Sequence, residues 1–369
     1  MNVLSLVSYN FLPAKMGGQK NIALHNAYLS KLVNLVCVTT CSNDVKFATY
    51  KVINILGDSF IKYYNAFYFF SLRRIIKEEK ITHLIIEHPY WGWLGFLLKH
   101  FCKVKFVTHS HNIESIRFKS LNKWWWKILW FYEKWVHQQA DFSLFITDED
   151  RNFAKENYKI DFNKSAVITY GTGFEDCQSI EEKNNARKII QAKHHIDIAH
   201  KIILFNGTLD YAPNENAIET IINQINPNLQ LKSNYKYKIL ICGKNLPQQF
   251  HQLQHQPNII YCGMVDDIDT YFKAADIFIN PVTDGGGIKT KVIEALAYNV
   301  SVVSTKSGAI GIPEEIVNGK LLIVNDDDWE AFSHTIISID NSLKTPEAFY
   351  THFYWGNIAQ KTYQNLQQI

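Results

Sequence analysis

Short apolar runs punctuate the chain at residues 3–7, 32–39, 82–87, 105–108, 142–146 and 166–169, with amphipathic stretches between them. Runs of that length alternating with stretches of helical period predict parallel strands joined by crossover helices. The alternation stops over 171–200, a polar run ending in lysines and histidines, which reads in part as a connection between domains. It resumes at 202–206, 238–242, 258–262, 276–280, 300–305 and 321–324. With 369 residues, more than one core usually holds, the pattern predicts an α/β protein of two doubly wound domains, 1–170 and 171–349, facing a cleft. The final segment, 350–369, is aromatic and helix-like and is expected to pack back on the first domain.

Open α/β sheets bind ligands beyond the carboxyl ends of their strands, so the chemistry is sought there. The most informative stretch follows the strand at 276–282. Gly285, Gly286 and Gly287, then Ile288, lead into a helix at 289–298 that turns Val292, Ile293, Leu296 and Ala297 inward. Glycines allow close backbone approach, and the free N–H groups and dipole of a helix start favour an anion. Lys289 and Lys291, on either side of Thr290, add positive charge, and Glu294 can accept hydrogen bonds from sugar hydroxyls. The plainer alternative is a glycine-rich turn with solvated lysines. Gly207 ends another strand before a helix with Pro213 in its first turn, and Lys244 follows the strand at 238–242 where a diphosphate would lie. In the first half, Gly17 and Gly18 form a second glycine turn aimed at the cleft. His109, His111 and Glu114 end the strand at 105–108, and His111 is the candidate for polar contact with a transferred group, against the alternative of a structural histidine.

Several function classes fall away. The first strand is not followed by GxGxxG, against a dinucleotide oxidoreductase, and Gly287 with Lys289 lacks the spacing of a P-loop. The acidic triplet Asp326, Asp327 and Asp328 precedes a helix and reads as capping rather than as a metal site. Six scattered cysteines without a CxxC pair indicate neither a zinc site nor a disulfide framework. No apolar run approaches the length of a membrane span, and the start lacks a basic n-region, so a cytoplasmic protein is expected. The net charge of +3 hides an asymmetry: residues 1–165 carry 22 Lys+Arg against 13 Asp+Glu, so the basic half is expected to face an anionic partner. Nucleic acid has no supporting motif.

Residues 285–297, with 302–311 and 318–323, resemble the glycosyltransferases of the GT-B fold, most closely the retaining family 4 (glycosyl transferases group 1). The Gly17–Gly18 turn, the Thr147 helix start, the entry to Gly171 and Trp355 add weaker support. The resemblance implies a GT-B pair of Rossmann-like domains, a nucleotide-sugar donor in the second, and a glycan or lipid-linked acceptor in the first. It also implies retention of configuration, no divalent metal, no cofactor beyond the donor, and a place in surface polysaccharide or glycoconjugate synthesis. Glu294 matches the later glutamate of the family's two-glutamate motif and so implies a hydrogen bond to the donor ribose. The earlier glutamate is replaced by Gly286, for which Asp284 is a possible substitute. The basic residue usual after the first strand of the second domain is also missing, since Thr208 and Leu209 follow Gly207, leaving Lys244, Lys289 and Lys291 to offset the diphosphate. Two other readings stay open: a sugar-nucleotide epimerase of the same fold, which needs acid/base carboxylates facing the sugar ring, and a non-catalytic partner, which the missing earlier glutamate keeps in play.

Residues 121–136 mix five tryptophans with lysines at 123, 127 and 134. Tryptophan and lysine together suit membrane headgroups, so this segment is a candidate peripheral contact at the inner face of a membrane. A helix buried in the first domain with its lysines in water is the equal alternative.

Overall fold

The computed structural model describes residues 1–232 and 234–369, which divide into two units: Met1–Gly171 with Phe353–Ile369, and Thr172–His352. In the first unit the strands are β1 (Asn2–Leu6), β2 (Asn34–Thr40), β3 (Lys51–Leu56), β4 (His83–Glu87), β5 (Lys105–Ser110), β6 (Phe142–Phe145) and β7 (Ser165–Val167). All are parallel, in the order β3-β2-β1-β4-β5-β6-β7. A parallel sheet must be covered on both faces, and β4 is buried along its whole length. β3, on the edge, was not anticipated. Its buried and open positions do not alternate, and Asn54 interrupts its apolar run.

The cover comes from α1 (Gly17–Leu29), α2 (Tyr68–Glu78), α3 (Gly92–Cys102), α4 (Glu114–Ser120), α5 (Trp126–Gln139) and α6 (Asp148–Phe153). Right-handed crossovers decide the faces. α1 carries the chain from β1 out to β2, whereas α2, α3 and α5 carry it the other way across the sheet, so they lie side by side on the opposite face.

The second unit begins with α7 (Ile180–His194), opened by a capping box between Ser179 and Glu182. Half of the polar run 171–200 is therefore helix; its period was hidden because it buries only Ala186 and Ile190. The strands β8 (Lys201–Thr208), β9 (Tyr237–Lys244), β10 (Ile259–Gly263), β11 (Ile277–Asn280), β12 (Ser301–Thr305) and β13 (Leu321–Val324) form a parallel sheet ordered β10-β9-β8-β11-β12-β13. Around it lie α8 (Ala212–Thr220), α9 (Asn226–Gln230), α10 (Ile268–Ala274), α11 (Thr290–Ala297) and α12 (Trp329–Ser338). Asp328 caps α12 through Ala331 N–H. α13 (Glu347–Phe353) ends this unit, and after Tyr354 the chain forms α14 (Trp355–Gln367), which belongs to the first. There Thr362 Oγ1 lies 2.9 Å from His25 Nε2 on α1, and the Leu366 carbonyl 3.0 Å from His83 Nε2.

Candidate functional site

Each sheet reverses its strand order once, between β8 and β11 in the second unit and between β1 and β4 in the first. Such switch points open a crevice at the carboxyl ends of the strands, and polar groups gather at both.

In the second unit, β8 delivers Gly207 and β11 delivers the loop to α11. A Cβ on Gly207 would stand 2.5 Å from Lys291 Nζ and 2.7 Å from Asn214 Nδ2. Glycine here thus makes room for an ammonium against the strand end. Burial lowers the Lys291 pKa to about 8, with Glu294 one turn on pulling it back up. Lys289 is also lowered to about 8 by burial, but its ammonium donates to the carbonyls of Gly285 (2.8 Å) and Gly287 (3.1 Å). It clamps the loop on itself. Gly285 and Gly287 need their left-handed backbone, at φ +85° and +72°, whereas a Cβ on Gly286 would meet nothing within 4 Å. α11 starts at Thr290 without a side-chain cap, so its first N–H groups are available to an anion. Asp284 is exposed and accepts from Asn216 Nδ2 at 3.1 Å. Lys244 is exposed at the end of β9, and Gly243 before it lies so near the Gly207 carbonyl that no Cβ fits. Behind the loop, Asn280 Nδ2 donates to Ser304 Oγ and the Gly308 carbonyl, each at 3.0 Å, tying β11 to the turn after β12.

In the first unit β4 ends in Glu87, fully buried. His111 Nε2–H donates to its Oε2 at 2.7 Å, and His111 Nδ1 accepts from Asn21 Nδ2 at 3.2 Å. His109 Nδ1 lies 2.9 Å from the same carboxylate oxygen but off the direction of a hydrogen bond. Burial works against ionisation of Glu87, yet His109 and His111 prevail and hold it well below the usual carboxylate range. Burial in turn lowers both histidines, while Glu87 pulls each of them back up. Beside it His88, at φ +66°, is held by Glu114 (Nδ1 to Oε1, 3.1 Å) and by the Tyr9 hydroxyl (3.2 Å), and its ring stacks on His111 at 4.4 Å. A strained non-glycine backbone at a switch point is the kind of conformation functional sites retain. Tyr90 and Arg117 donate to the other Glu114 oxygen at 2.8 and 3.0 Å. Burial again opposes ionisation, but His88 and Arg117 keep Glu114 at about 2. His25, Glu87 and His109 also bring one potential metal-ligand atom each within 4.8 Å of one another, a donor set of the kind zinc accepts.

The structure thus brings Gly207, Gly285, Gly286, Gly287, Ile288, Thr290, Lys291 and Glu294 to one switch point, with Lys244 at the end of the neighbouring strand. Gly17 and Gly18 begin α1 in the first unit, without positive φ. His111 is buried with both ring nitrogens engaged, so contact with a sugar requires Asn21 to release Nδ1. Sequence reasoning missed Glu87, His88 and Tyr9. The signal was an acid ending the apolar run Leu84, Ile85, Ile86, since a carboxylate at the buried end of a central strand needs partners there.

Comparison with known proteins agrees with this geometry. Residues 28–172 match the family model described as Glycosyltransferase Family 4, and residues 200–341 the one described as Glycosyl transferases group 1. A chitobiosyldiphosphodolichol beta-mannosyltransferase of Debaryomyces hansenii is 24% identical over 291 residues, 71% of this chain and 61% of that protein. Among solved structures, a glycosyltransferase from Rickettsia africae superposes with a TM-score of 0.75 at 17% identity, covering 100% of this chain and 98% of its own. The Anabaena protein Alr3699/HepE, solved in complex with UDP, gives 0.75 at 12% identity over 100% of both chains. At such identities the structures speak for the fold alone, while the family models span most of the sequence. By its two matched halves and its paired Rossmann-like units, the chain belongs to the GT-B glycosyltransferases of group 1, family 4.

Proposed function

We propose that this glycosyltransferase takes its sugar from a nucleotide-sugar donor seated at the β8/β11 switch point and passes it to a hydroxyl of a glycan or lipid-linked acceptor held by the first unit. Synthesis of a surface polysaccharide or glycoconjugate is the setting that such an acceptor suggests. The observation that carries this reading is the Lys291 ammonium, fitted against Gly207 beside an uncapped helix start. A cation half out of water, offset among the described residues by Glu294, is a poor device for stability and a good one for a diphosphate. The α11 N–H groups and Lys291 would hold the leaving diphosphate, Glu294 the ribose, and Asp284 would stand in for the missing earlier glutamate at the sugar. Lys244 adds charge at the rim.

The transfer we infer keeps the anomeric configuration. The bond from the anomeric carbon to the diphosphate oxygen breaks, the acceptor oxygen bonds to that carbon on the same face, and the acceptor proton passes to the departing oxygen. Lys291 stabilises the charge that develops there, and His111, held by Glu87, orients the transferred group once Asn21 releases its Nδ1. Lys291 and the helix amides occupy the role a divalent metal would otherwise fill, so EDTA leaves turnover unchanged.

The test follows release of UDP from UDP-glucose and other nucleotide sugars, with and without glycan acceptors. Lys291→Ala is expected to lower turnover by at least about a hundredfold, as loss of a donor to a developing charge does. Full activity in a Lys291→Ala, Glu294→Ala double variant would overturn the assignment. Nucleotide binding without turnover on any donor would favour a non-catalytic partner, the reading that Gly286 in place of the earlier glutamate keeps in play. NMR of the product's anomeric proton decides retention.

A further inference from the structure

In the first unit large apolar side chains stand in water across one helical face. Phe60, Ile61 and Tyr64 lie on the 3-10 helix Phe60–Tyr64 before α2, Phe67 is the N-cap of α2 and Phe70 lies in its first turn, with Phe67 78% exposed. On the approach to α5 and along it, Trp124 (83% exposed), Ile128 and Phe131 form one stripe at helical spacing. The tryptophans at 125, 126, 130 and 135 are half-buried instead, and Lys134 sits over Trp130.

The two sets belong to one surface. α3 lies between α2 and α5 on the same sheet face, and half-buried aromatics close the gap: Trp93 Nε1 donates to the Tyr63 carbonyl at 3.0 Å, and Trp93 N–H to the Tyr132 hydroxyl at 3.1 Å. Phe69 packs on exposed Phe101, and Phe96 on Trp135. In the second unit the strongly exposed apolar residues, such as Ile198, Leu231 and Met264, are scattered singly, which is ordinary.

Charge selects the occupant. Residues 60–134 carry thirteen Lys and Arg against five acids, and Glu87, Glu114 and Glu133 among the acids are buried. Arg73, Arg74 and Lys77 on α2 and Lys119, Lys123 and Lys127 near α5 are exposed. Lys119 and Lys127 lie 5.0 and 5.7 Å from the Trp126 ring centre, at the level of the aromatic belt. A symmetric pairing of two copies would set these cations against themselves. A surface of phosphates meets them with opposite charge while taking up the rings.

We propose that the α2–α3–α5 face of the first unit docks on an anionic phospholipid bilayer, the Phe67, Phe70, Trp124 and Phe131 rings entering the boundary between headgroups and acyl chains and the cations around them meeting lipid phosphates. Among the described residues no helix is long and apolar enough to cross a membrane. The contact is peripheral, assembled from two separate segments, and independent of the donor site.

The test is co-sedimentation of the full chain with phosphatidylcholine vesicles, with and without phosphatidylglycerol, at low and moderate salt. Pelleting is expected with the anionic vesicles and should weaken with salt. The pairs Phe67→Ser with Phe70→Ser and Trp124→Ser with Phe131→Ser should each weaken vesicle binding by about tenfold or more. All four side chains are exposed, so the melting temperature and UDP binding of these variants should stay at the parent values. No pelleting with any vesicle would overturn the proposal, as would pelleting indifferent to both pairs. Sedimentation velocity supplies the last check: a dimer that the same substitutions dissolve would show that a second copy covers the face, and would also overturn it.

Discussion

Gly286 and Gly287 are neighbours of the same residue type with opposite structural duties. At φ +72° an L side chain is strained, so Gly287→Ala should cost about 1 kcal/mol in thermal denaturation. Gly286→Ala, facing open space, should stay within about 0.5 kcal/mol. That freedom makes Gly286→Glu a clean experiment. We expect it to fold normally and to raise turnover of a nucleotide-sugar donor by restoring the family's earlier glutamate, and steady-state kinetics check it. The lysines make a second prediction. Unfolded lysine titrates near 10.4, whereas Lys291 and Lys289 titrate at about 8 in the fold. Between those values the unfolded chain binds more protons, so unfolding free energy from these groups rises with pH across that window. Bound diphosphate favours the ammonium form, so the rise in melting temperature given by UDP should shrink as pH climbs through about 8. The sequence made Lys291 legible as a cation near glycines. It could not show that Lys289 spends its charge on its own loop, because that depends on where the Gly285 and Gly287 carbonyls point.

Among elements, α4 shows how far local signals reach. Its N-cap, Ile113, offers no side-chain cap. Glu133 on α5 does the work from 19 and 18 residues away, accepting from Glu114 N–H at 2.9 Å and Ser115 N–H at 3.0 Å, with the Tyr158 hydroxyl at 2.8 Å. Burial raises its pKa to about 7. Glu133→Ala should therefore cost about 2–3 kcal/mol by stranding those donors, measurable by denaturant titration. Between the ordinary glutamate value of 4.5 and about 7 the folded state holds a proton that the unfolded chain has lost. Stability from this group falls as pH rises through that window, and Glu133→Gln should remove the fall. Strands with continuous apolar runs, such as β4 and β8, were readable because burial on both faces leaves no ambiguity. β3 and α7 were not, because an edge strand and a sparsely buried helix carry weak periodicity.

For the whole molecule, two doubly wound sheets and the returning last helix were visible in the alternation of runs and in the aromatic final segment. The donor base, the sugar and the acceptor were not, since a few side-chain positions set them rather than any period. The first unit is discontinuous: Trp355 and Thr362 of α14 are fully buried within it. Deleting residues 354–369 should unfold that unit while the second keeps its structure. Hydrogen exchange would show protection lost in α1 and β4 and retained in β8 and β11.

The same discontinuity orders events during synthesis. At ribosomal speeds of roughly 5–20 residues per second, the more than 180 residues separating β7 from α14 occupy some ten to forty seconds. Throughout that interval the nascent amino-terminal lobe waits with His25 and His83 lacking their mates, while the lobe encoded later can mature ahead of it. Chaperones would meet this enzyme as a complete sheet still missing one of its covering helices.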